Sequence, residues 1–334
     1  MNPFHKGRWA YPGALLAMLL VFGFGPTQAQ HPRAVVAAST PGTEEFCAAH
    51  SQQHAAGLVV SKRVRRVFVL RGGEQFFCAG SVQAVDARTG QIVGNVSLGS
   101  SPGAAVVDDT DYRVIVVSTA GAASGQITTV DTRSVRILAQ VQSDPCPAVE
   151  CTVAAAPWRH LVLVSSRSGI RVVDTRTGTV VRTIRPGGSG IGADALVKRI
   201  YVLGQGKLRL LDLSTGKYAR TWRSSGCAAA IALDGSLRRI FTASTGTLGD
   251  PRNLSNGRAN RPGQFCVIDM DTGALVRKQA EGNGVRAELL AVDHKRQVVI
   301  VGRVGAFVND GTQVIDERTG RFAQVLHCSV RLIA

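Results

Sequence analysis

Three groups of residues in this 334-residue chain have the types and spacing to do chemistry. The first is Cys47, His50 and His54, at i, i+3 and i+7. On a helix these share one face, and a thiolate with two imidazoles suits zinc or copper. No fourth ligand is evident, and an amphipathic helix end with two polar histidines accounts for them equally. They stand as weak metal candidates, and no cofactor is expected; "FCAAH" lacks the first cysteine of a c-type haem attachment site. The second group lies in the long run Ser244–Gln264: Asp250, Arg252, Asn253, Asn256, Arg258, Asn260 and Arg261. Guanidinium groups grip carboxylates or phosphates with two parallel bonds, and amides both donate to and accept from sugar hydroxyls. The third group is six aspartates in near-copies of one motif: Asp86, Asp131, Asp174, Asp212, Asp269 and Asp316. Six carboxylates invite a catalytic or metal reading, but turn chemistry accounts for each. Asp accepts from N–H groups two or three residues on, Thr adds a hydroxyl, and Gly takes the left-handed position in "VDTRTG", "LDLSTG", "IDMDTG" and "IDERTG".

Those turns must connect something. The aspartates recur at steps of 45, 43, 38, 57 and 47 residues, a period that signals a repeat architecture. Ahead of each comes a basic or aromatic residue and an apolar run: "RRVFVL", "YRVIVV", "RHLVLV", "KRIYVL", "RRIFTA", "RQVVIV". Before most of these is a small-residue strand such as "GAAVVD" or "TVAAAP", and after each Asp turn a more polar one such as "QIVGNVSLG". The unit reads as strand a, basic turn, strand b, loop, strand c, Asp turn, strand d. Strand b is apolar on both faces, strand a is small enough to crowd an axis, and strand d is an edge. The expected fold is all-β, a β-propeller of four-stranded antiparallel blades with six repeats counted.

The stretch Lys198–Trp222, "KRIYVLGQGKLRLLDLSTGKYARTW", resembles the YVTN-type β-propeller repeat of exported bacterial and archaeal proteins, and the resemblance spans about Ala56–Leu326. It implies a propeller serving as a binding platform. It also implies seven blades where the spacing gives six; "AVVAAS" (Ala34–Ser39) and "CSVRLIA" (Cys328–Ala334) are the segments available to a seventh.

The chain divides into residues 1–29, an export signal; 30–56, a non-repeating segment; and 57–334, the propeller. The signal has a basic start at His5, Lys6 and Arg8, the apolar run Gly13–Gly25, and small residues Thr27 and Ala29 before the cut. The run is too short for a typical membrane span. An exported chain can keep disulfides. Cys146 and Cys151 flank a proline in an apparent loop and are the expected local bridge. The pairing of Cys47, Cys78, Cys227, Cys266 and Cys328 stays open, Cys227 and Cys266 reading equally well as small buried hydrophobes.

The formal net charge is +16, from 39 Lys and Arg against 23 Asp and Glu. It favours anionic partners: an acidic glycan, the cell envelope, or an acidic protein surface. Nucleic acid is a weaker candidate, because aromatics make up 5% of the chain and no nucleic-acid motif is present. In a four-stranded blade the a–b and c–d turns share one face, here called the turn face, and the b–c and d–a loops share the other. The turn face should carry Arg65, Arg66, Arg113, Arg159, Lys198, Arg199, Arg238, Arg239 and Arg296, joined by Arg88, Arg133, Arg176 and Arg318. His160 and His294 fall there too, so the loop face lacks the commonest general base. Both long departures from the repeat, Ser244–Gln264 and Gln142–Cys151, fall on the loop face. The sequence therefore points to an exported, monomeric, non-catalytic binding protein for an anionic or sugar-like ligand or envelope partner. The alternative is a propeller enzyme, a lyase or lactone hydrolase with a carboxylate or metal centre.

Overall fold

The computed structural model describes residues 54–72, 80–119, 125–143, 151–224, 227, 230–244, 263–282, 286–293, 295–304 and 312–326. They form six four-stranded antiparallel sheets, each made of four strands consecutive in the chain, arranged as a six-bladed β-propeller. The inner a strands are β1 (His54–Ser61), β5 (Ser101–Asp108), β9 (Thr152–Ala156), β13 (Gly190–Asp194), β17 (Ala230–Asp234) and β21 (Arg286–Asp293). The b strands are β2 (Arg66–Gly72), β6 (Arg113–Thr119), β10 (Leu161–Ser166), β14 (Arg199–Gly204), β18 (Arg239–Ser244) and β22 (Val298–Val304). Every c strand ends on its repeat aspartate: β3 (Ser81–Asp86), β7 (Gly125–Asp131), β11 (Gly169–Asp174), β15 (Lys207–Asp212), β19 (Gly263–Asp269) and β23 (Thr312–Asp316). The outer d strands are β4 (Ile92–Ser97), β8 (Ile137–Ser143), β12 (Val180–Ile184), β16 (Lys217–Arg223), β20 (Leu275–Gly282) and β24 (Phe322–Leu326).

The b strands are covered on both faces, which is why they read as unbroken apolar runs. On β6, Val114 and Val116 pack with Phe68 and Leu70 of the first blade. Their neighbours Ile115 and Val117 point the other way, to Val162 and Val164 of the third. Each such fully buried side chain contributes about 1.5–3 kcal/mol. One apolar cluster fills each junction from blades 1–2 to blades 5–6. Strand d alternates half-buried and exposed positions, as from Leu138 to Ser143 of β8.

Strand β1 starts at His54, so this residue stands on a strand and not on the helix that would align it with Cys47 and His50; those two lie outside the described residues. The segments considered for a seventh blade and the export signal lie outside them too. Cys227 and Cys266, both fully buried, lie at disulfide distance with Cα atoms 6.1 Å apart, which stitches the approach to β17 to β19 across blade 5. Cys151 is also disulfide-bonded; Cys146, its expected partner, lies outside the described residues.

Candidate functional site

The turn face is built by two sets of carboxylates. In the c–d turns, Asp86 Oδ1 accepts from the N–H groups of Arg88 and Thr89 and from the Thr89 hydroxyl. Asp131, Asp174, Asp212, Asp269 and Asp316 are held in the same way by the residues two or three positions on. These bonds keep the carboxyls below their usual range; for Asp212, the Ser214 hydroxyl, the Ser214 N–H and the Thr215 hydroxyl bring it to about 2. The closing glycines, such as Gly178 at φ 71°, are left-handed. In the worn second copy Val135 takes that place at φ 54°, a conformation that disfavours a β-branched residue.

The second set was not singled out from the sequence. Asp108, Asp194, Asp234 and Asp293 end the a strands and accept from N–H groups two and three residues on. Ser61 serves the same turn in blade 1. Each a–b turn then places its fifth residue in the left-handed region: Arg65, Tyr112, His160, Lys198, Arg238 and Gln297, at φ 53–58°. For Arg65, Tyr112, His160, Arg238 and Gln297 the carbonyl accepts from the N–H that follows the c–d aspartate, or its counterpart in the sixth blade. Asp four residues before a long polar residue, as in "DDTDY" and "DGSLR", was the signal available.

Acid-centred contacts lock neighbouring blades. Between blades 1 and 2, Asp109 accepts from the Ser61 hydroxyl and the Lys62 N–H. Between blades 2 and 3, Asp111 accepts from the Thr175 hydroxyl and faces His160 Nδ1 at 2.8 Å. Between blades 4 and 5, Asp271 is gripped by Arg238 and by Arg199, the latter at 3.0 Å. Between blades 5 and 6, Asp234 and Glu317 form a buried pair in which burial and then the Asp234 contact push the Glu317 carboxyl up to about 8.

The turn-face arginines are largely absorbed by this scaffold. Arg113 pairs with Asp131 and Arg239 with Asp269, Arg176 with Asp174, and Arg296 with Asp293. Arg66 donates to the Thr132 and Arg133 carbonyls at 2.7 and 2.6 Å. Arg63 and Arg133 lie against the Tyr112 ring, 4.1 and 3.3 Å from its centroid. From the d strands Arg182, Arg220 and Arg277 donate to carbonyls of the next blade's c–d turn. Donation to a carbonyl leaves the positive charge unmatched, so the same residues that staple blades also keep the surface basic.

On the axis is a cavity of about 380 Å³. Its walls are Val, Ala, Ile, Leu and Gly from five a strands, among them Val106, Ala154, Gly192, Ala232 and Leu290. Among the described lining residues none ionises, and these walls offer shape and apolar contact. Among the described residues no group of three or more His, Cys, Asp or Glu could hold a metal ion. The Arg- and Asn-rich candidates Asp250, Arg252, Asn253, Asn256, Arg258, Asn260 and Arg261 lie outside the described residues. What is described is their root: Ser244 of β18 pairs with Gln264 of β19 at the loop face, and β8 ends at Ser143 and β9 begins at Thr152 on that same face.

The sheet topology defines a six-bladed β-propeller. Solved structures agree on the fold. "Kuenenia stuttgartiensis Hydrazine Synthase" is similar at a TM-score of 0.62 and 15% identity, over 88% of this chain and 80% of the other. "Crystal Structure of Mitotic Checkpoint Complex" is similar at 0.60 and 15%, over 92% and 90%. At this identity the likeness shows the fold alone and carries nothing about activity. No family profile matches the sequence, and no curated protein matches it.

Proposed function

We propose that this chain is an exported, non-catalytic binding protein that holds an anionic or sugar-like ligand, or an envelope partner bearing such groups, on its loop face. The observation that carries the reading is the axial cavity, whose described walls are Val, Ala, Ile, Leu and Gly. The repeat aspartates, the other candidates for chemistry, are spent on turns. Export is supported by the Cys227–Cys266 pair, since such a bridge persists in oxidising compartments, and by the signal-like residues 1–29. Contact on the loop face is supported by convergence: a rigid hairpin end at Ser244 and Gln264 and the exit from β8 hold two long insertions on one side.

The test is binding to a panel of acidic and neutral glycans. The reading expects a variant lacking residues 248–262 to fold and to lose binding to the acidic members. Undiminished binding by that variant, or turnover of a lactone or glycosidic substrate by the intact protein, overturns it.

A further inference from the structure

The turn that enters the third blade departs from the other five. Its first position is Ala156 where Asp or Ser caps the rest, and Pro157, Trp158 and Arg159 form one 3-10 turn. Counting back from the left-handed residue aligns Arg159 with Asp111 of the second blade, because His160 and Tyr112 hold the same left-handed position. In the junction of blades 2 and 3, Asp111 sits between His160 and Thr175 of the following blade. The corresponding residues between blades 3 and 4 are Arg159, Lys198 and Leu213. A carboxylate flanked by two donors thus has a cation as its counterpart, in a groove that also holds a second cation.

The other four junctions described above each hold an acidic side chain, drawn from differing turn positions, and here lies an open groove of about 270 Å³. It is lined by Trp158, Arg159, Lys198, Arg199, Asp212 and Ser214, with Leu210, Leu211, Leu213 and Ala219. Among the described residues the side chains of Arg159 and Lys198 have no hydrogen-bond or ion-pair partner, and both are exposed. Arg199, one residue beyond the Ile200–Leu211 pair of the ladder, directs its guanidinium to Asp271. Asp212 is the one carboxylate in the groove, and its oxygens are taken by Ser214 and Thr215. Arg159 and Lys198 are therefore the two unmatched cations of a groove whose one carboxylate is already bonded. Trp158 is packed against the apolar cluster that fills the junction of blades 3 and 4.

We infer that the blade 3–4 groove is an oxyanion site, in which a phosphate or carboxylate carried on a small, sugar-sized molecule bridges Arg159 and Lys198 and takes the place that Asp111 fills one junction earlier. Two like charges held together in one groove are relieved by an anion between them, and a charge-assisted contact of this kind is stronger than a neutral one. The volume, below that of most ligand pockets, limits the occupant to one small group. This site is on the turn face, opposite the loops of the proposed function, and does not depend on them.

Calorimetric titration with glucose 6-phosphate, glucuronate and glucose tests it. The first two carry the phosphate and the carboxylate on a similar ring, and the third neither. Saturable binding of one or both charged sugars, weakened by salt and without comparable binding of glucose, is expected, and the charged sugar bound identifies the oxyanion. In R159A/K198A the affinity should fall about tenfold to a hundredfold, with thermal unfolding unchanged or raised. R159D should abolish binding and raise the melting temperature, because the new carboxylate pairs with Lys198 as Asp111 does with His160. R176A, at a paired arginine on the same face, should bind normally, as should the variant lacking residues 248–262. Failure of that deletion to bind acidic glycans while it still binds the small anion separates the two sites. Binding of neither charged sugar up to about 10 mM, equal binding of glucose, or undiminished binding by R159A/K198A overturns the inference.

Discussion

Replacing Glu317 by Gln should remove a pH dependence built into the contact between the last two blades. Asp234 and Glu317 are fully or almost fully buried. Burial raises the Glu317 carboxyl first, and the contact with Asp234 and the charges of Asp234, Asp293 and Asp316 add to it, so that it titrates at about 8. Burial also raises Asp234, but the bond from Glu317 together with those from the Ser236 hydroxyl and the N–H groups of Leu237 and Ser236 outweighs it and leaves Asp234 well below the usual range. The pair keeps one proton in the folded protein. Unfolded, Glu317 loses that proton near pH 4.5. Between about pH 4.5 and 8 the native state thus binds one proton more than the unfolded state, and stability falls as pH rises through this window. At about 1.4 kcal/mol for each pH unit crossed, the loss is about 3–5 kcal/mol. In E317Q the new side-chain amide would donate to Asp234 without a dissociable proton. Wild type and E317Q should be within about 1 kcal/mol of each other near pH 5, with E317Q the more stable by several kcal/mol at pH 9. Urea unfolding of both proteins from pH 5 to 9 measures this, and taking the difference cancels the titration of the rest of this basic chain. A difference that does not change with pH would refute the proton kept by the pair.

Further outcomes follow from the same network. Asp174→Ala should cost about 0.5–2 kcal/mol in denaturant unfolding, by analogy with a lost helix cap, and leave ligand affinity unchanged. Substituting Ser for both Cys227 and Cys266, which close a loop of 39 residues, should cost about 4 kcal/mol on the loop-entropy relation; equal melting temperatures for the double variant and the oxidised wild type would count against the bridge. Val135→Gly relieves a left-handed β-branched residue but removes a side chain buried in the first junction; the two effects are of similar size, and a net change within about 1 kcal/mol is expected from thermal unfolding.

Much of the scaffold was legible because it is local. An Asp turn closes within five residues, and a b strand covered on both faces needs no more than an apolar run such as "YVLG". Spacing counts six repeats, which the six sheets match, whereas the resemblance implied seven blades. What escaped the sequence joins residues that are distant along the chain. Nothing near Arg182 or Arg277 says that the side chain will reach carbonyls at Leu213 or Thr319. Arg199 reads as the ladder partner of Asp212, yet it crosses to Asp271, and only the geometry of adjacent blades decides between the two. Glu317 looks like one more charged turn residue until Asp234 is placed against it. The ring of turn-face arginines was anticipated, but its division into staples and unmatched cations was not, and "APWRH" gave its difference away only after the other turns were superposed on it. The residues of the expected ligand site lie outside the described residues, and the structure describes only the strand ends on either side of them.

The measurement closest to the central claim is a hydrogen-exchange footprint of the protein saturated with an acidic oligosaccharide chosen from the glycan panel. Binding on the loop face predicts slowed exchange at its strand ends, around Ser143, Thr152, Ser244 and Gly263, with the Asp86, Asp174 and Asp316 turns unchanged. Protection centred on Ala154, Gly192 and Ala232 in the axial cavity, or confined to the turn face with the loop-face strand ends unaltered, would contradict it.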